Sequence, residues 1–192
     1  MRIILASGSP RRRQLLAAAG IEFDLCEVQI DESALPGECA EQLVCRLAAL
    51  KAAAAARLFP GRLCLGADTL VVCDEEILGK PADMAQAEAM LLRLSGRSHS
   101  VFTGVSLQRE WDLRLIWQAE TRVRFKALDL AGLRAYLALV NPLDKAGAYA
   151  IQEHGERLIE NIEGLRSNVV GLPIEQVQER LQEIMAADRL RT

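Results

Sequence analysis

One stretch limits the fold more than any other. Between residues 114 and 126, Trp117, Ala119, Thr121, Val123 and Phe125 alternate with Gln118, Glu120, Arg122, Arg124 and Lys126. A period of two over that length predicts a long strand with one dry face and one wet face. Residues 99–109 read as its hairpin partner. On either side of this hairpin, strand-like and helix-like stretches alternate. Alternation alone would give a parallel doubly wound sheet. The hairpin adds antiparallel pairing, so the expected class is α/β with a mixed sheet flanked by helices.

The remaining elements follow from local signals. Residues 2–7 read as a short buried strand. Ser9 and Pro10 are suited to the N-cap and first position of a helix that Gly20 ends. Residues 22–29 read as a second strand. A helix is predicted over 39–58, with Leu43, Leu47, Leu50, Ala54 and Leu58 on one stripe and Lys51 at its flank. Residues 63–79 read as a strand, a turn at 74–76 and a short strand. Asp83 and Gln86 mark the start of a helix over 84–95, with Met84, Ala87, Leu91 and Leu94 inward and Gly96 at its end. Asp129 caps a helix running to Val140. A glycine-bearing connection leads to a strand at 157–162. Pro173 opens a last helix, with Ile174, Val177, Leu181 and Ile184 inward. Residues 187–192 are expected to fray. With no repeat and no linker, the 192 residues are expected to form one domain, 1–192.

Composition excludes several classes. The net charge of −3 is unlike that of a binder of long nucleic acid. No apolar run approaches the ~20 residues of a membrane span, and "RIILA" is too short for a signal-peptide core. The five cysteines lack CxxC spacing and are odd in number, which predicts reduced thiols in the cytoplasm. With two histidines the chain has no His cluster for a metal.

The chemistry begins at "ASGSPRRRQLL", residues 6–16. A helix N-terminus carries free N–H groups and partial positive charge. Three arginines in the first turn oppose that dipole unless an anion supplies the missing charge. Gly8 lets a backbone approach, Ser7 and Ser9 offer hydroxyls, and arginine suits bidentate contact with phosphate. A capped surface helix with solvated arginines fits the same residues. No GxxxxGK[ST] loop occurs. Asp68, in "LGADTLVV", lies in an apolar strand, where a carboxylate is costly unless paired or metal-bound. A strand-end Asp satisfied by backbone N–H groups and Thr69 is the competing reading. Glu32, Lys51 and Lys80 each also read as ordinary surface charges, and Asp144 and Lys145 as an exposed turn pair.

Together the residues are more specific. "ASGSPRR", "RLAALKA" at 46–52, "GADTLV" at 66–71, "LGKP" at 78–81, "MLLRLSGRSHSVFTGV" at 90–105, "DKAGAYAIQ" at 144–152 and "NVVGLP" at 168–173 occur in that order. This series resembles the Maf family of nucleotide pyrophosphatases, from residue 3 to about residue 175. The resemblance implies a cytoplasmic α/β protein with an elongated mixed sheet, two lobes around a central cleft, and an architecture similar to the inosine-triphosphate pyrophosphatase group. It also implies hydrolysis of a nucleoside triphosphate to monophosphate and pyrophosphate, a divalent cation such as Mg²⁺ or Mn²⁺, and a possible homodimer.

The resemblance assigns roles residue by residue. Asp68 matches the proton acceptor. Arg11, Thr69 and Gln152 match positions of substrate choice. Ser7, Ser9, Arg12, Lys51 and Lys80 match residues that bind phosphate and substrate, and Glu32 with Asp68 is the candidate pair for the metal. "DKAGAYAIQ" resembles the branch acting on dTTP and UTP; a pyrophosphatase for 7-methyl-GTP and a non-catalytic nucleotide-binding regulator of cell division are the alternatives. Leu165 with Arg166, and the polar run at 153–158, depart from the family pattern.

Overall fold

In a computed structural model that describes residues 1–110 and 112–191, seven strands form one mixed sheet flanked by helices. The strands are β1 (Ile3–Ala6), β2 (Phe23–Leu25), β3 (Cys64–Cys73), β4 (Glu76–Leu78), β5 (Ser98–Arg109), β6 (Leu113–Phe125) and β7 (Ile159–Glu163). The helices are α1 (Pro10–Ala18), α2 (Ala40–Leu58), α3 (Met84–Leu94), α4 (Leu130–Leu137), α5 (Arg166–Val170) and α6 (Ile174–Arg191). The order across the sheet is β2-β1-β3-β5-β6-β7, with β4 on β3. β1 is parallel to both β2 and β3, whereas β3–β4 and β6–β7 are antiparallel. The mixed sheet expected from the hairpin is present. Trp111, in the connection between β5 and β6, lies outside the described residues.

The chain divides into two compact units. The first contains Met1–Asp68, Thr103–Ala119 and Gly171–Thr192. Its core gathers Ile3, Leu5, Leu16, Leu65, Leu107 and Val177, with Ile4, Ala6, Ala55 and Cys64 forming a smaller cluster. The second contains Thr69–Phe102 and Glu120–Val170, around Leu91, Val123, Phe125, Leu133, Tyr136 and Leu158. On β6 the predicted alternation holds: Ala119, Thr121, Val123 and Phe125 are buried between exposed neighbours.

In the first unit, α2 lies directly on the sheet. A β-carbon on Gly66 of β3 would stand 2.2 Å from the Ala48 carbonyl oxygen and 2.6 Å from the Ala52 nitrogen. One on Gly104 of β5 would stand 2.2 Å from the Val44 carbonyl oxygen. So close an approach needs small residues on the facing side of the helix. This corrects the predicted stripe: Leu43 and Leu47 are buried, but the other buried residues of the helix are Val44 and the alanines Ala40, Ala48, Ala49, Ala52, Ala55 and Ala56, while Leu50 and Leu58 are exposed.

Other boundaries shift for local reasons. β2 is three residues rather than the expected eight, because it is the edge strand and can pair only as far as the four-residue β1. Met84 is exposed at the first turn of α3. α4 ends at Leu137, before Asn141-Pro142, where the residue preceding proline is pushed out of helical geometry. α5, a five-residue helix just after Gly164, carries no apolar periodicity long enough to read. Residues 187–191, expected to fray, continue α6; Thr192 lies outside the described residues.

Candidate active site

β1 delivers the first part of the site. Its ladder with β3 pairs Ala6 with Gly66 and stops there. The chain then turns through Ser7, Gly8 and Ser9 into α1, with Pro10 at the head of the helix. Ser9 occupies the N-cap position, yet its side chain caps no helical N–H; its own N–H donates to Ser7 Oγ at 3.2 Å. No acidic side chain occupies the first turn. The end of α1 that carries partial positive charge therefore begins with arginines alone.

Those arginines are not equivalent. Arg12 is buried, Arg11 half-buried. Arg12 Nε donates to the Gly171 carbonyl at 2.8 Å, and Nη1 donates to Ser7 Oγ at 3.1 Å. Burial lowers the Arg12 pKa; the charge of Asp68 opposes that, Arg11 adds to it, and Glu32 opposes it. Those electrostatic partners put Arg12 within the field of both acids. Its guanidinium stays a cation, because arginine does not lose its proton in proteins.

Asp68 lies on β3 two residues beyond Gly66, hence on the same face of the strand, the one α2 covers. It is buried, with 9% of its surface exposed. Lys51 comes from α2, between Ala48 and Ala52, the residues against Gly66. Its Nζ donates to Asp68 Oδ1 at 2.7 Å and pairs with Glu32 Oε1 at 2.7 Å. The Lys51 side chain is only 12% exposed. It does not run out to solvent along the core, as a flanking lysine commonly does. One ammonium bridges two carboxylates that are distant in sequence, which is the arrangement a buried acid requires.

Glu32 belongs to a segment without regular structure between Leu25 and Ala40. Two residues that the sequence reading passed over hold that segment. Arg46 of α2 grips Glu38 with two hydrogen bonds, Nε to Oε1 at 2.6 Å and Nη2 to Oε2 at 2.7 Å, and Nη2 also donates to the Ser33 carbonyl at 2.8 Å. Glu38 Oε2 accepts from the Leu35 N–H at 3.0 Å. The Arg46 hydrogen bonds, then that of Leu35, hold the Glu38 carboxyl down to about 2. The signal was an arginine in the "RLAALKA" block with an acid eight residues before it, across a helix start. No helical period predicts such a pair.

Thr69, Lys80 and Gln152 belong to the second unit. Thr69 follows Asp68 on β3 and is half-buried; Lys80 and Gln152 are exposed. The loop carrying Lys80 is tied to the segment carrying Gln152, because the Gly147 N–H donates to the Gly79 carbonyl at 3.0 Å. Gly147 has φ +68, and a β-carbon there would press on Val71 at 3.2 Å. The Ala150 N–H donates to Tyr136 Oη at 3.1 Å, and Tyr149 Oη is 2.8 Å from His99 Nε2. His99, Phe125 and Tyr149 stack edge to face. Burial pulls His99 down to about 4. The exposed turn expected at Asp144-Lys145 is half wrong: Lys145 is 4% exposed, and its Nζ donates to Asn141 O at 2.7 Å and Asp144 Oδ1 at 2.8 Å.

Among the described residues no group of three or more His, Cys, Asp and Glu is placed to hold a metal ion, and no helix is long and apolar enough to cross a membrane. The site offers two carboxylates, Glu32 and Asp68, on one ammonium.

Curated proteins share this sequence almost end to end. The dTTP/UTP pyrophosphatase of Geobacter sulfurreducens is 50% identical over 186 residues, covering 96% of this chain and 97% of its own length. That of Symbiobacterium thermophilum is 49% identical, covering 94% and 93%, and that of Clostridioides difficile 44%, covering 95% and 95%. The nucleoside-triphosphatase / dITP/XTP pyrophosphatase of Mycobacterium abscessus aligns over 65% of this chain and 74% of its own with a TM-score of 0.46 and 17% identity, a likeness too slight to bear on function. The model of the family described as Maf-like protein matches residues 2–184, a span that takes in Ser7, Arg12, Glu32, Lys51, Asp68, Lys80 and Gln152 alike, and the chain belongs to that family.

Proposed function

We propose that this protein is a nucleoside triphosphate pyrophosphatase that converts dTTP and UTP to the monophosphate and pyrophosphate. Relatives bearing that name match it over nearly their whole length at about half identity. One observation carries the chemistry: Lys51 joins Asp68, midway along β3, to Glu32, in the field of the Arg12 guanidinium.

Water attacks the α-phosphorus, the α–β anhydride bond breaks, and its electron pair leaves with pyrophosphate. Asp68 accepts the proton of the attacking water, and Lys51 fixes the carboxylate for that role. The enzyme has little covalent work; it positions and neutralises. Ser7, Ser9, Arg11 and Arg12 bind phosphate oxygens, with Arg12 also holding Ser7 in place. Lys80 adds a further cation, and Thr69 and Gln152 choose the base. An amide both donates to and accepts from a pyrimidine edge, a readout that rejects mismatched bases more strongly than shape does.

The donor set fits a hard divalent cation such as Mg²⁺ or Mn²⁺. Such an ion takes one or two protein carboxylates together with substrate phosphates and waters. Glu32 and Asp68 would hold it, and when bound it would neutralise phosphate charge.

A panel of triphosphates, including 7-methyl-GTP, assayed for pyrophosphate release with the wild type and Asp68→Asn tests the reading. Turnover is expected with dTTP and UTP, falling at least ~100-fold in the variant, the size of a lost general base. Wild-type turnover in Asp68→Asn, or no release from either pyrimidine nucleotide, overturns it.

A further inference from the structure

Glu32 is the least constrained member of the acidic pair. Its side chain is 59% exposed, and its segment belongs to no helix or strand. Left alone, such a segment samples many conformations, and ordering it would cost free energy at each round of binding. Yet Glu32 meets Lys51 at 2.7 Å.

The Arg46 hydrogen bonds explain how. Arg46 and Lys51 sit on the same helix, and the two long side chains hold adjacent residues of the segment: Arg46 the Ser33 carbonyl, Lys51 the Glu32 carboxylate. Glu38 completes the clamp. It binds the Arg46 fork with both oxygens and takes the Leu35 N–H, and its side chain is 8% exposed. Asp31 Oδ1 accepts from the Ser33 N–H at 2.9 Å and tightens the turn at the same place. The segment is therefore pinned at both Ser33 and Leu35. A planar guanidinium serves three acceptors here; a lysine offers a single nitrogen and cannot span them.

We propose that Arg46, with Glu38, is a positioning residue that holds residues 31–38 so that the Glu32 carboxylate stays beside Asp68 on Lys51. The proposal rests on the reading of Glu32 as a site residue. It assigns Arg46 no contact with substrate. Arg46 acts through Glu32, and that separates it from a residue that only stabilises the fold.

The test is a double-mutant cycle with Arg46→Lys, Glu38→Gln and Glu32→Gln, read by turnover and by amide hydrogen exchange of the nucleotide-free protein. Arg46→Lys is expected to raise exchange at the amides of Ser33, Ala34 and Leu35 about tenfold, and to lower kcat about 10- to 100-fold, the scale of a misplaced catalytic group. In the Glu32→Gln background, Arg46→Lys is expected to add less than about twofold, because coupled residues do not act additively. Glu38→Gln keeps the shape of its partner and gives a second, milder disruption in the same direction. Equal losses in both backgrounds, or unchanged exchange at the amides of residues 33–35, overturn the proposal. If the wild type releases no pyrophosphate, the proposed function falls, and the exchange measurement alone decides whether the clamp exists.

Discussion

The Lys51 ammonium stands 2.7 Å from Asp68 and 2.7 Å from Glu32. Three charges thus form a unit with one net negative charge; Lys51 and Asp68 sit on a helix and a strand whose backbones touch at Gly66, and Glu32 reaches them from an irregular segment. Removing the central cation leaves two acids with no counter-ion between them. Lys51→Met preserves the length and apolar stem of the side chain. It is expected to lower kcat/KM about 100-fold, the cost of losing one preorganised charged group. Steady-state kinetics with dTTP, alongside circular dichroism to confirm the fold, checks this.

Gln152 is exposed, on a segment fixed by the hydrogen bonds of Gly147 and Ala150. Gln152→Ala is expected to change nucleotide preference and leave stability within about 0.5 kcal/mol of wild type, as exposed substitutions do. Ratios of kcat/KM across the triphosphate panel should narrow at least ~10-fold. An unchanged preference profile would remove Gln152 from base recognition.

The two neighbouring arginines should separate in a stability measurement. Arg12 is buried and supports both Gly171 and Ser7. Arg12→Ala is expected to lower unfolding free energy by about 2 to 3 kcal/mol, because hydrogen bonds from a charged group are lost and buried acceptors are stranded. Arg11 is half-buried, and Arg11→Ala should cost less than about 1 kcal/mol. Urea denaturation of the two variants provides the comparison.

Gly66 sets how close α2 comes to β3. A methyl group there would meet the Ala48 carbonyl at 2.2 Å, and a backbone carbonyl cannot swing away as a side chain can. Gly66→Ala is expected to destabilise the protein by at least ~2 kcal/mol, and to reduce turnover because α2 carries Lys51. At Gly79 no heavy atom lies within 4 Å of the added methyl, so Gly79→Ala should leave stability within about 0.5 kcal/mol. Thermal midpoints of the pair report the contrast.

His99 predicts a pH dependence. It is 3% exposed, and its Nδ1 has no hydrogen-bond partner among the described residues. Burial brings its pKa from 6.5 to about 4, so the fold favours the neutral ring. Its contribution to stability is complete above pH 6.5 and declines as the pH falls from there towards about 4. The full loss amounts to about 3 kcal/mol. In His99→Gln the fall in unfolding free energy between pH 7 and pH 4 should be smaller than in wild type by about that amount. Parallel slopes would contradict it.

Much of the architecture was legible in the sequence because it rests on local rules. The alternation along β6, the turn residues and the Asp83 and Asp129 caps are written within a few residues of where they act. So is the concentration of positive charge at the start of α1. The order of the seven blocks was likewise enough to place the chain in its family.

Tertiary structure decided what those residues do. Sequence could not show that Arg12 reaches a carbonyl 159 residues away, that Lys51 lies between Glu32 and Asp68, or that Arg46 anchors the segment beside it. Nor could it show that alanines rather than Leu50 and Leu58 face the sheet. The reason is the same in each case. Periodicity records how a residue sits on its own element, whereas a charge pair or a close backbone approach depends on how two elements meet, and that is fixed only when the core packs.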